Sequence, residues 1–161
     1  MRKLWNRPNL PVWSLVTTDT TGTHNMNICT YVTSVSMEPK VQLVAVYNGT
    51  KTLENIVADL NAPVLLQLLT EELAPVVRIC GQQSGKTIDK LTSLQKRYDI
   101  SYHAGIPYFT KAAGVMMLQD QILTNCGGDH QLLTGLVTWS KNLNDMPILT
   151  TDYLKDNKFT R

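Results

Sequence analysis

The chain has 161 residues, of which 43% are hydrophobic and 17% charged, and this balance excludes an intrinsically disordered protein. A chain of this length fits one domain built around a single hydrophobic core. The formal net charge of +2 is small and the 15 basic residues are scattered, so we expect no nucleic-acid partner.

The three cysteines, Cys29, Cys80 and Cys126, are widely spaced and odd in number. They predict neither a disulfide framework nor a metal site, and they fit a reducing cytoplasm. Polar residues at positions 6–9 interrupt the apolar stretch at the N-terminus, so we expect no signal peptide. No window approaches the ~20 continuous apolar residues of a spanning helix. We therefore expect a cytoplasmic protein with no membrane partner.

The first third of the chain predicts strands. Residues 11–18 (PVWSLVTT) are rich in β-branched and aromatic residues and end in a turn-like segment. Residues 28–36 (ICTYVTSVS) predict a second extended stretch, and a break at residues 38–40 separates it from a strand over residues 41–47. These segments predict a meander of neighbouring antiparallel strands. Apolar residues then recur at helical spacing over residues 52–60, which predicts a helix.

Helical and extended patterns alternate irregularly in the middle of the chain. Residues 62–69 (APVLLQLL) predict a buried strand. Residues 71–80 predict a helix, because two acids occupy its first turn and Gly81 marks its end. A second short helix is expected over residues 87–97.

The last part of the chain predicts a turn at residues 105–107 and then a long hairpin, whose strands cover residues 114–124 and 131–139. Residues 145–161 are polar and predict a surface arm. Strands with interspersed helices and no regular βαβ alternation indicate a mainly β fold, an antiparallel Greek-key-like barrel with appended helices. We expect one domain over residues 1–161, with the barrel over about residues 11–140.

The junction between the third strand and the first helix carries the chemistry of an anion site. Its glycine lets the backbone approach a ligand, its hydroxyls and ammonium supply donors, and the free amides of a helix start favour negative charge. A phosphate would fit here. An N-capped helix after a turn, with no ligand, is the alternative interpretation. The junction consists of Asn48, Gly49, Thr50, Lys51 and Thr52.

Four motifs in a fixed order carry a resemblance to a known family. They are residues 25–30 (NMNICT), 33–39 (TSVSMEP), 50–56 (TKTLENI), and the pair Gly128-Asp129-His130 and Gly135-Leu136-Val137. Together they resemble the flavin reductase-like family of FMN-binding split barrels, over about residues 11–153. The resemblance implies a split β-barrel as the fold.

The resemblance also implies which residues hold a flavin. The extended segment of Asn27, Ile28, Cys29 and Thr30, with Thr33 beyond it, would line the ring and ribityl chain. The junction of Asn48, Gly49, Thr50, Lys51 and Thr52 would hold the phosphate, mainly through Thr50 and Thr52. The sequence departs from the family at Asn27-Ile28, where many relatives have Met-Thr.

The function implied by the resemblance is an FMN-binding NAD(P)H:flavin oxidoreductase. FAD is the alternative flavin, NADH or NADPH the co-substrate, and a homodimer that serves a monooxygenase or another redox partner is expected. His130 would lie beside the reacting ring; a surface histidine with no role is the alternative. An FMN-binding electron-transfer protein that does not oxidise nicotinamide, and an interaction domain without flavin, are the alternative functions.

The segment over residues 81–87 (GQQSGKT) has some likeness to a phosphate-binding P-loop. Its glycines are separated by three residues instead of four, and it follows a helical pattern instead of a strand. We therefore expect a helix end and restart, from which Lys86 can reach a bound anion.

Overall fold

Antiparallel strands make up most of the computed structural model, which describes residues 3–160. The strands are Trp13–Thr18 (β1), His24–Cys29 (β2), Val32–Met37 (β3), Lys40–Tyr47 (β4), Val64–Leu68 (β5), Ile100–His103 (β6), Ile106–Phe109 (β7), Gly114–Asn125 (β8) and His130–Asn142 (β9). Seven of them form one sheet in the order β2-β1-β5-β8-β9-β4-β3, and β6 pairs with β7. The fold is therefore mainly β, as the sequence predicts.

The helices are short, with no more than eight residues each among the described residues. Two are 3₁₀-helices, Leu4–Asn6 and Glu71–Val76. The α-helices are Lys51–Ala58 (α1), Val77–Cys80 (α2), Lys90–Gln95 (α3) and Thr151–Asp156 (α4).

The sheet closes into a barrel because β2 and β3, which follow each other in the chain, lie at its two opposite ends. Thr30 and Tyr31 alone separate these strands, so the two ends of the sheet must approach each other. The amide of Ala45 on β4 donates to the carbonyl of Tyr31 at 2.9 Å. This bond holds the β2–β3 connection against β4. The single extended stretch predicted over residues 28–36 is therefore wrong, and so is the simple meander.

Most other elements agree with the predictions, with shifted boundaries. The hairpin of β8 and β9 is confirmed and is longer than predicted. The helix predicted over residues 71–80 is a 3₁₀-helix followed by α2, and Pro75 lies inside the 3₁₀ part. The turn predicted at residues 105–107 lies one residue earlier, between β6 and β7, where Ala104 and Gly105 have positive φ angles.

Two apolar clusters cover the two faces of the curved sheet. Leu15 on β1 and Leu66 on β5 face the barrel interior, which Leu53 and other residues of α1 close at one end. Val16 and Leu65, their neighbours in the chain, face the other side, where α2, α3 and the β6–β7 hairpin pack. This alternation with a period of two is that of strands buried on both faces.

The C-terminal segment packs into the protein. Leu149 is 0% exposed and Leu154 is 3% exposed, and both belong to the outer cluster. The amide of Val12 donates to the carbonyl of Leu149, and the amide of Leu149 donates to the carbonyl of Leu69, each at 2.9 Å. The predicted surface arm is therefore wrong for these two leucines, although most residues of the segment 145–161 are polar.

We predict that Leu149→Ala lowers the free energy of unfolding by about 2–5 kcal/mol, because it leaves a cavity in the outer cluster. Leu4→Ala is the matched control: Leu4 is 82% exposed, and its truncation should change the free energy by less than ~0.5 kcal/mol. Urea denaturation followed by circular dichroism measures both. Similar values for the two variants would contradict the packing of the C-terminal segment.

Candidate functional site

One cavity of about 510 Å³ opens where three separate segments meet. The first wall is β2 with the link that follows it, the second is the start of α1, and the third is the segment over residues 80–85 behind α2. The end of β4 and His130 at the start of β9 complete the mouth. The volume lies within the range of roughly 300–1,000 Å³ that small-molecule and cofactor sites occupy.

Most of the residues that the sequence singled out surround this cavity. Those that line it are Asn27, Ile28, Cys29, Thr30, Gly49, Thr50, Lys51, Thr52 and His130.

Two of the predicted residues lie elsewhere. Thr33 is exposed on β3, where its hydroxyl donates to the carbonyl of Ser34 at 3.4 Å. Asn48 is also exposed, and its side-chain amide donates to the carbonyl of Gly128 at 3.1 Å. Its backbone amide donates to the carbonyl of Asp129 at 2.9 Å. Asn48 thus joins the junction before α1 to the β8–β9 loop.

Thr50 caps α1. Its Oγ1 accepts a hydrogen bond from the amide of Leu53 at 3.2 Å and donates to the carbonyl of Tyr47 at 2.8 Å. The bond to Tyr47 uses the single donor of the hydroxyl, and the bond from Leu53 is the N-cap that the sequence allowed. Helix geometry leaves the amides of Lys51 and Thr52 without a partner inside α1, and both residues line the cavity.

Asn25 presents a buried polar group to the cavity. Its Nδ2 donates to Oγ1 of Thr52 at 3.0 Å, and both side chains are buried. Its Oδ1 has no hydrogen-bond partner within residues 3–160, although Asn25 is only 6% exposed. An unpaired buried amide oxygen costs free energy, and Gly85 packs directly against this one.

The first part of the P-loop-like segment, residues 81–85, belongs to the third wall of the cavity. It follows α2, so the strand-loop-helix arrangement of a P-loop is indeed missing in residues 77–95. Its glycines permit close packing: a Cβ added to Gly81 would lie 3.2 Å from Cγ1 of Ile28, and one on Gly85 would lie 2.0 Å from Oδ1 of Asn25. The sequence did not predict this wall of the cavity, although its two glycines are typical of places where the backbone packs closely.

His130 lies at the mouth of the cavity between two tyrosines. Its ring is 5.6 Å from that of Tyr31 and 5.1 Å from that of Tyr47, in edge-on arrangements. Its Nδ1 is 2.7 Å from Oδ1 of Asp129. A carboxylate accepts hydrogen bonds, so Nδ1 carries a proton and Nε2 is left for a ligand.

Charged and ionisable groups around the cavity differ in their partners. Lys51 pairs with Asp19 at 3.6 Å, and Lys86 pairs with Glu54. Burial raises the pKa of Cys29 and that of Cys80 to about 12. Both cysteines therefore remain neutral thiols at physiological pH and do not supply a thiolate nucleophile.

The described residues were also compared with the requirements of a metal site and of a membrane-spanning helix. Within residues 3–160, no three His, Cys, Asp or Glu side chains are grouped so that they could hold a metal ion. None of the helices in the same residues is long and apolar enough to cross a membrane.

A family comparison identifies the class of protein. The model of the flavin reductase like domain matches residues 11–153. The chain therefore belongs to the flavin reductase like family, as its motifs indicated. No curated protein matches it significantly in sequence.

Solved structures confirm the predicted split-barrel fold. A candidate oxidoreductase from Sinorhizobium meliloti 1021 aligns with a TM-score of 0.78 at 20% identity over 91% of this chain, which spans 48% of that protein. The NADH:FAD oxidoreductase of Streptomyces globisporus C-1027 aligns with a TM-score of 0.74 at 17% identity, over 88% of this chain and 80% of its own. An FMN-binding protein from Thermus thermophilus aligns with a TM-score of 0.72 at 17% identity, over 88% of this chain and 75% of that protein.

We predict that Gly85→Ala lowers the free energy of unfolding by about 1–3 kcal/mol, because the new methyl group collides with the side chain of Asn25. Gly128→Ala is the control, since a Cβ there meets nothing within 4 Å. In an Asn25→Ala background the cost of Gly85→Ala should largely disappear. A cost that persists in this background would show that the collision with Asn25 is not its cause.

Proposed function

We propose that this protein binds FMN in the cavity and acts as an NAD(P)H:flavin oxidoreductase. The observation that carries the proposal is the convergence of three distant segments on one cavity, in a member of the flavin reductase like family. Two of these segments carry the residues that the family resemblance implies for flavin binding. FAD is the alternative flavin, because one similar structure is an NADH:FAD oxidoreductase and another an FMN-binding protein.

The residues of the cavity fit a flavin nucleotide. The free amides of Lys51 and Thr52 suit a phosphate at the start of α1, and Lys51 adds positive charge. Asn25 donates to the hydroxyl of Thr52 and so fixes that side chain beside these amides. A bound flavin would supply the hydride-accepting ring, and the protein would supply binding and orientation.

The backbone of β2 fits the ring assignment despite the departure at Asn27-Ile28. Lys90 donates to the carbonyl of Met26, so this carbonyl points away from β1. Backbone groups of an antiparallel strand alternate in direction, so the amide and carbonyl of Ile28 also point outward. These groups can bind the polar edge of a ring, so a threonine hydroxyl at position 28 is not required.

His130 is proposed to position the nicotinamide. The bond to Asp129 holds its ring, and Nε2 is available at the mouth of the cavity. Hydride transfer between two rings depends mainly on their distance and orientation, so a fixed hydrogen-bond donor or acceptor at the mouth would contribute through positioning.

A homodimer and a redox partner complete the proposal. Edge strand β3 exposes apolar side chains: Val35 is 51% exposed and Met37 is 88% exposed. Such a surface is typical of protein–protein contacts and supports the expected homodimer. A monooxygenase or another flavin-dependent enzyme would receive the reduced flavin.

We predict that the purified protein is yellow, or stays yellow when FMN is added and the free flavin is then removed, and that it oxidises NADH or NADPH in the presence of flavin. Absorbance spectra, an FMN titration and stopped-flow mixing with each nicotinamide measure this. Bound flavin that stays oxidised with both nicotinamides, but is bleached by a reduced redox protein, would favour the electron-transfer alternative. Protein that neither absorbs visible light nor gains thermal stability with FMN would refute flavin binding.

We predict that His130→Ala lowers the turnover number about tenfold or more and leaves the bound flavin content unchanged, because it removes a positioning group at the mouth. His103→Ala is the control, since His103 lies outside the cavity and stacks on Trp139 at 3.6 Å. Steady-state kinetics and the flavin-to-protein absorbance ratio distinguish the two effects. Unchanged turnover in His130→Ala would show that His130 is a surface histidine with no role in the reaction.

A further inference from the structure

Lys90 is a buried lysine in the wall of the cavity, and nothing in the proposed function uses its charge. It is the first residue of α3, and it is only 5% exposed. Its Nζ donates to the carbonyl of Met26 on β2 at 3.0 Å and to the carbonyl of Cys80 on α2 at 2.8 Å. The ammonium group thus lies between two walls of the cavity.

Within residues 3–160, Lys90 contacts no carboxylate. Asp89, its neighbour in the chain, accepts from the amide and the hydroxyl of Thr92. The other cavity-lining lysine, Lys51, is paired with Asp19. Of the two lysines that line the cavity, Lys90 thus lacks a carboxylate partner within the described residues, and burial lowers its pKa.

The two carbonyl bonds alone do not account for a lysine at this position. An ammonium group has three N–H donors, and the carbonyls take two of them. Carbonyl dipoles only partly replace the water that a buried charge loses, so buried charges normally have a counter-charge. A negatively charged ligand in the cavity could take the third donor and supply that counter-charge.

We infer that Lys90 is an anion-binding residue of the cavity, whose ammonium group pairs with a negatively charged group of the bound flavin. The inference rests on the proposed function and extends it. The negative charge can come from two parts of one ligand. One is the phosphate of FMN. The other is the N1–C2=O edge of the reduced ring, which is anionic once the ring has gained a hydride, that is, two electrons and one proton.

Lys90→Met tests the inference, because methionine retains much of the length of the side chain and removes its charge. Dissociation constants are measured for oxidised FMN and oxidised riboflavin, together with the midpoint potential of the bound flavin. If the partner is the phosphate, FMN should lose at least tenfold more affinity than riboflavin. If it is the reduced ring, the preference for reduced over oxidised flavin should fall about tenfold, which lowers the midpoint potential by ~30 mV for a two-electron couple.

Two variants separate charge from folding. Lys96→Met removes an exposed lysine near the end of the same helix and should change neither ratio. Lys90→Gln retains a hydrogen-bond donor without the charge, and it replaces Lys90→Met if that variant does not fold. Lys90→Arg should restore most of the selectivity that the neutral variants lose.

Specific outcomes would overturn the inference. Equal losses of affinity for FMN, riboflavin and both redox forms in the neutral variants would make Lys90 a purely structural link between β2 and α2. Wild-type protein that binds neither FMN nor riboflavin would overturn the proposed function and this inference together. Wild-type binding with unchanged ratios in the variants would overturn the role of Lys90 alone.

Discussion

The outer edge of β2 is the constraint on which the cavity depends. Because β2 lies at one end of the sheet, only one of its edges pairs with a strand, namely β1. Its other edge is open to helices and loops. An open edge normally invites pairing with another strand. Here α1, α2 and α3 pack beside it, and the Nζ of Lys90 donates a hydrogen bond to the carbonyl of Met26. The same edge therefore closes the barrel at Tyr31 and leaves backbone groups facing the cavity.

Polar groups in this region remain buried because rigid neighbours hold them. Asn25 is tied to Thr52 on α1, and Asn55 on the same helix donates to the hydroxyl of Thr17 at 3.1 Å. These bonds attach α1 to β1 and β2 through side chains, and Leu53 attaches it to the apolar interior. The cavity wall is thus supported by the core packing, and a ligand would meet a site that is largely preformed.

The sequence was most informative where a pattern is local. Strand-forming residues between turns predicted β1, β8 and β9, helical spacing predicted α1, and the order of the motifs predicted the family. The break at Thr30 and Tyr31 was missed because strand-forming residues run through it, and the packing of Leu149 was missed because polar residues predominate over residues 145–161. Lys90 has no local signal at all, since only the tertiary approach of Met26 and Cys80 distinguishes it from a surface lysine.

The burial of Cys29 and Cys80 has a practical consequence. Burial raises the pKa of both thiols to about 12, so they are almost entirely protonated at neutral pH and react slowly. Cys126 is exposed on the β8–β9 loop, where its thiol contacts the carbonyl of His130 at 3.3 Å. Towards thiol reagents this chain should behave as a single-cysteine protein, so that a spectroscopic label can be attached beside the cavity mouth without mutagenesis.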